Sequence, residues 1–164
     1  MKRNENHGIS LEKFIKRNGH ICMTPIELAE VCQKKKLVVL VSRNDKENSE
    51  YAAEVCECVK QDNSNDILYF SLKLESEEFK SIHPELTVEV NDTPALSIDE
   101  LENIVKNKNN SSKMSMVIID HLWLMGTKNT YATKKEEVEE ILSKIKRLVE
   151  QEKITVLAIV LLSK

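Results

Sequence analysis

Apolar residues fall along this chain in two rhythms. Unbroken β-prone runs stand at Leu37 to Val41, Ile67 to Leu72, Met116 to Ile119 and Ile154 to Leu162. A strand buried on both faces requires such a run. Leu86 to Val90 alternates instead and reads as one more strand. Between the runs, apolar residues recur three or four apart, the spacing of one helix face. Ala52, Val55, Cys56 and Val59 mark a helix over about residues 49–61. Ile98, Leu101, Ile104 and Val105 mark another. Val138, Ile141, Leu142, Ile145, Leu148 and Val149 mark a third over Glu136 to Glu152.

Polar residues supply the boundaries. Thr24, Pro25 and Glu27 open a helix carrying Leu28, Ala29 and Cys32, with Lys34 to Lys36 at its far end. Ser97 and Glu100 form a capping box ahead of the Ile98 stripe. Residues 75–82 read as a short helix, and Ser10 caps another over Leu11, Phe14 and Ile15. Ser42 to Ser49, residues 61–66, residues 107–113 and Gly126 to Lys135 read as loops, and residues 1–9 as a tail. Apolar strands alternating with helices predict a mainly parallel α/β sheet with helices on both faces and right-handed crossovers.

Aromatic residues are only 4% of the chain, so its core must be built from Leu, Ile and Val. A net charge of −3 gives no overall field toward nucleic acid, so binding there needs a local patch. No apolar h-region follows the basic start, and no run approaches the ~18 residues of a membrane span. A cytoplasmic protein without membrane contact is the expectation. Cys22, Cys32, Cys56 and Cys58 match no zinc spacing, and Cys32 and Cys56 read as small core residues.

Ligands of an open parallel sheet gather at the carboxyl ends of its strands. Three polar segments fall there: Ser42 to Ser49, Ser71 to Ser76, and Asp120 with His121. A strand closing in an acid, as "VIID" does at Asp120, can place a carboxylate for Mg²⁺ opposite a phosphate loop, although Asp also caps turns. The strand–loop–helix at Ser42 to Ser49 is where a phosphate would sit. Yet no glycine lies between Gly19 and Gly126, and glycines let backbone amides wrap phosphates.

The segments "ILYFSLKLESEEF", "VNDTPALSIDEL", "MVIIDHLWLM" and "EEVEEILSKIKRLVEQEKITVLAIVLLSK" resemble, in order and spacing, the RecA-like motor domain of DnaB-type replicative helicases. The resemblance covers roughly residues 36–164, leaving 1–35 as an N-terminal tail or linker with short helices. It implies a RecA-like, P-loop NTPase-type α/β fold, with ATP and Mg²⁺ as cofactors if the family activity is retained. In the family's phosphate loop a glycine and a lysine precede a hydroxyl residue. Here Glu47 stands at the glycine position, Asn48 at the lysine position, and Ser49 keeps the hydroxyl. Lys73 stands where the family has the glutamate that activates water, and Leu161 where it has a glutamine that senses the γ-phosphate. Asp120 is kept as the Mg²⁺-organising acid. Arg43, Lys46 and Ser49 are the residues left to touch a nucleotide, and Ser49 with Asp120 the pair left for Mg²⁺.

These substitutions predict a truncated domain that kept its scaffold and lost its hydrolytic residues, needing no cofactor. Its expected role is a non-catalytic binding or regulatory module linked to DNA replication, associating with itself, a helicase ring or nucleic acid. An atypical ATPase using Ser49, Asp120 and a displaced Lys46 is one alternative. A domain binding a non-phosphorylated ligand in the same cleft is another. Lys128, Lys134 and Lys135 fall where the family places a DNA-contacting loop, and an ordinary mobile loop is the competing reading. Trp123 reads as a core filler rather than a base-stacking residue. Lys144, Lys146 and Arg147 read as a solvated face.

Overall fold

A computed structural model describes residues 24–43, 45–62 and 66–161. The expected tail, the helix following Ser10, and Cys22 lie outside them. Five strands, β1 (Leu37–Ser42), β2 (Asp66–Ser71), β3 (Glu89–Asn91), β4 (Met114–Asp120) and β5 (Thr155–Leu161), form one sheet in the order β1-β5-β4-β2-β3. All four pairings are parallel. The helices are α1 (Pro25–Cys32), α2 (Asp45–Asp62), α3 (Ser76–Ile82), α4 (Ile98–Ser111) and α5 (Lys134–Glu152), with a 3₁₀ turn at Leu122–Leu124.

The pleat sorts the unbroken apolar runs into two cores. Val38, Leu40, Ile67, Tyr69, Ile118, Leu157 and Ile159 face α1, α2 and α3, meeting Leu28, Ala52, Cys56 and Phe79. Leu68, Phe70, Val117, Ile119, Val156 and Ala158 face α4 and α5, meeting Leu101, Ile141, Ile145 and Leu148. Burying such aliphatic side chains contributes ~1.5–3 kcal/mol each before chain entropy is counted. The sheet is therefore the rigid base from which the polar strand ends project. Cys32 and Cys56 are core residues, and burial pushes the Cys32 thiol up to about 12. Trp123 is half-buried against the α4–α5 core.

Local signals hold at the caps. Thr24 accepts the Glu27 amide at 3.2 Å. Ser97 and Glu100 exchange both bonds of the capping box. Several boundaries differ from expectation. The Ser42 to Ser49 segment is not one polar loop, because α2 begins at Asp45 and takes in residues 45–48. Those residues carry no apolar stripe. Acidic Glu47 in the first turn, where the helix dipole favours it, and the Lys46–Glu50 pair at 3.9 Å suit a helix instead. The strand expected over Leu86 to Val90 shrinks to β3, because the Leu86 amide turns back to the His83 carbonyl at 3.1 Å. Lys34 to Lys36 lie beyond α1, whose C-cap is Gln33. The Gly126 to Lys135 loop ends early, since Thr133 caps α5 and accepts the Glu136 amide at 3.2 Å. Leu142 and Ile104 are only half-buried.

Candidate functional site

The parallel register sets the carboxyl ends of β2 and β4 side by side, with Ser71 opposite Asp120. Two positions before Asp120, Ile118 points into the α2-side core, so the pleat aims the Asp120 carboxylate at α2 as well. Ser49 comes to meet it from the second turn of α2. Tyr69 rises from the same face of β2, and Lys73 reaches back two residues after β2 ends.

These four side chains form one buried cluster. Asp120 is 1% exposed, Ser49 8% and Tyr69 0%. The Ser49 hydroxyl donates to Asp120 Oδ2 at 2.8 Å, and the Tyr69 hydroxyl donates to the same oxygen at 2.7 Å. The Lys73 ammonium donates to Ser49 Oγ at 2.5 Å and lies 3.5 Å from Asp120 Oδ1. The lysine side chain is 16% exposed, so the ammonium closes the cluster at its outer side. A buried carboxylate needs a counter-charge and hydrogen-bond donors; here Lys73 supplies the first, and Ser49 and Tyr69 the second.

Ser49, Lys73 and Asp120 are thus brought together. Tyr69 was not singled out from the sequence: it sits inside an apolar run where a tyrosine reads as core, and nothing local shows where its hydroxyl ends. Asn48 is wholly buried, and neither its amide nitrogen nor its oxygen has a hydrogen-bond partner among the described residues. The remaining candidates are exposed or half-buried. Arg43 and Glu47 are exposed. Lys46 is 87% exposed and faces Glu50 at 3.9 Å. Leu161 ends β5 in register with Ser42, half-buried.

The basic residues assigned to a DNA-contacting loop each face an acid. Lys128 lies 3.7 Å from Asp99, Lys135 4.0 Å from Glu139 and Lys134 2.8 Å from Glu137. The bond from Lys134 holds the Glu137 carboxyl below its ordinary range. On α5, Lys144 donates to Asp99 at 3.2 Å and lowers that carboxyl in the same way. Arg147 lies 3.9 Å from Glu102.

Comparison with known proteins places the fold. The sequence model of the DnaB-like helicase C terminal domain matches residues 78–164. No curated protein matches the chain. Among solved structures, the chain is similar to one of an isolated ATPase domain, with a TM-score of 0.71 at 13% identity, over 86% of this chain and 64% of that one. It is also similar to "The Structure Of A DnaB-Like Replicative Helicase And Its Interactions With Primase", with a TM-score of 0.70 at 14% identity. That match covers 81% of this chain and 40% of the other. The chain therefore spans less than two thirds of either structure.

Proposed function

The chain belongs to the DnaB-like helicase C-terminal domain family, and from that premise we propose that it is a non-catalytic binding or regulatory module linked to DNA replication, built on a degenerate nucleotide site. The observation that carries this reading is the Lys73 ammonium seated against Ser49 and Asp120. In P-loop NTPases the loop hydroxyl and the strand-end acid hold Mg²⁺, and a further residue orients the attacking water. An ammonium cannot take a proton from water. Its positive charge sits against the two groups that would hold the metal.

Magnesium does not fit the residues present. It demands near-octahedral oxygen ligands at about 2.0–2.1 Å, and the Ser49 oxygen that would serve already accepts the ammonium at 2.5 Å. The phosphate cradle is altered in the same direction. With β1 ending at Ser42 and α2 starting at Asp45, residues 43 and 44 alone connect them. Two residues without glycine do not wrap a triphosphate. Asn48, at the lysine position, brings no charge.

Binding of a protein partner, including another copy or a helicase ring, is favoured over DNA because the candidate DNA-loop lysines each face a carboxylate. Calorimetric titration with ATP and Mg²⁺ tests the reading. No heat of binding is expected, and tight Mg²⁺-dependent binding that disappears in Ser49→Ala refutes it in favour of an atypical ATPase. Retention on single-stranded DNA that falls steeply with salt would replace the protein-binding role with a nucleic-acid one.

A further inference from the structure

The geometry points to the Lys73 ammonium as a built-in replacement for a divalent cation, holding together the serine–aspartate pair that a metal would otherwise bridge. The inference rests on reading this corner as a former nucleotide site, but it concerns the chain's own charges.

Three observations converge on it. First, Lys73 touches both members of the pair, 2.5 Å from Ser49 Oγ and 3.5 Å from Asp120 Oδ1, as a bridging cation does. Second, Asp120 is 1% exposed, and its Oδ1 has no hydrogen-bond partner among the described residues. Lys73 brings a positive charge to within 3.5 Å of that oxygen. Third, the remaining lone pairs are organised around the same arrangement. Ser49 accepts from the ammonium and donates to Oδ2, while Tyr69 donates to Oδ2 from the other side. A buried carboxylate left without a cation is strongly unfavourable. A domain that gave up its metal therefore needed another cation at this point, and a lysine two residues past β2 delivers one from its own chain. Ser49 and Lys73 are also spaced like a nucleophile and its base, but an ammonium paired with a carboxylate has no lone pair to accept the serine proton.

Two consequences separate this role from a lysine that only covers the surface. The native protein gains nothing from divalent ions. Withdrawing the ammonium exposes a site with one carboxylate and one hydroxyl, which hard cations prefer. The test uses the whole chain without nucleotide, with Mn²⁺ as the probe, followed by the loss of the free-ion electron paramagnetic resonance signal and by thermal melting with Mn²⁺ or EDTA. The native protein should bind no Mn²⁺ at this site and melt identically in both. Lys73→Ala should bind one Mn²⁺ at least about tenfold more tightly than the native chain, a difference of ~1.4 kcal/mol, and should melt higher with Mn²⁺ than with EDTA. Both gains should vanish in Lys73→Ala/Asp120→Asn. Lys73→Gln, which keeps much of the stem, should show the same gain. If neither single variant folds in metal-free buffer, Mn²⁺ should restore folding, and failure to do so counts against the inference. Asp120-dependent Mn²⁺ binding by the native chain, or no gain in the lysine variants, overturns it. Because nucleotide is absent, failure of this test can be told apart from failure of the ATP titration. Native ATP binding without metal would remove the proposed function and leave the role of Lys73 standing.

Discussion

Replacing Tyr69 with Phe removes one oxygen from the centre of the buried cluster and leaves everything else in place. The ring stays in the α2-side core, 4.4 Å from the Phe79 ring centroid. What disappears is the 2.7 Å bond to Asp120 Oδ2. A hydrogen bond to a charged group contributes about 1.5–3 kcal/mol net, roughly twice a neutral one. Asp120 keeps Ser49 as a donor to the same oxygen, so the carboxylate is weakened rather than orphaned and no larger loss is expected. For a chain of this length, each kcal/mol shifts the melting temperature by about 2–4 °C, so Tyr69→Phe should melt roughly 3–12 °C lower. Urea unfolding followed by the fluorescence of Trp123, the single tryptophan, measures the free energy directly. The midpoint should fall with the m-value unchanged. In Asp120→Asn the same substitution should cost less, since the acceptor is then neutral. A loss below about 0.5 kcal/mol, or an equal loss with Asn at 120, refutes the view that Tyr69 stabilises a buried charge.

Other consequences are as direct. Asn48→Leu should raise stability by about 1–3 kcal/mol in urea melts, because it removes a buried amide that has no partner among the described residues and keeps the same number of side-chain heavy atoms. Ser97→Ala should lose about 0.5–2 kcal/mol with the capping box, measured the same way. Cys32 and Cys56, whose thiols burial pushes up, should resist iodoacetamide at mildly alkaline pH in the folded protein and react once it unfolds, as peptide mass mapping would show. Asp99 lies below its ordinary value of 3.8, first through the bond from Lys144. Its contribution is therefore complete above that value and lost as pH falls through the lowered folded one. Lys144, raised above 10.5 first by the same bond, contributes below that value and loses its contribution as pH rises through the folded one. Lys144→Met should flatten both limbs of a stability–pH curve, and high salt should reduce the difference.

Much of the scaffold was legible because its signals are local. The runs that became β1, β2, β4 and β5 are too apolar to sit anywhere but inside. The Ser97–Glu100 box needs only four neighbouring residues. The start of α2 escaped the same reasoning: residues 45–48 are all polar, and periodicity cannot register a turn with no apolar member. β3 is shorter than expected for the opposite reason, since Leu86 and Val88 alternate like a strand while the Leu86 amide is committed to a turn. Family resemblance marked Ser49, Lys73 and Asp120 one at a time. Their mutual contact depends on β4 lying beside β2 and on α2 crossing that edge, which no stretch of sequence states. Tyr69 and Asn48 belong to this second kind of information, where tertiary placement alone turns an ordinary core residue into part of a charged network or an unpartnered amide.

On the proposed reading of a degenerate nucleotide site, the early start of α2 bears on whether nucleotide chemistry is recoverable. Restoring a lysine at 48 would drive an ammonium into a position with no exposed surface, inside a helical turn rather than on an open loop. Restoring a glycine at 47 would weaken that turn without lengthening the connection between residues 42 and 45. Reversion therefore demands a coordinated remodelling in which a helical turn unwinds, Lys73 retreats and a new acid arrives. On that reading no single step along the route brings a working intermediate, and the geometry acts as a ratchet against return.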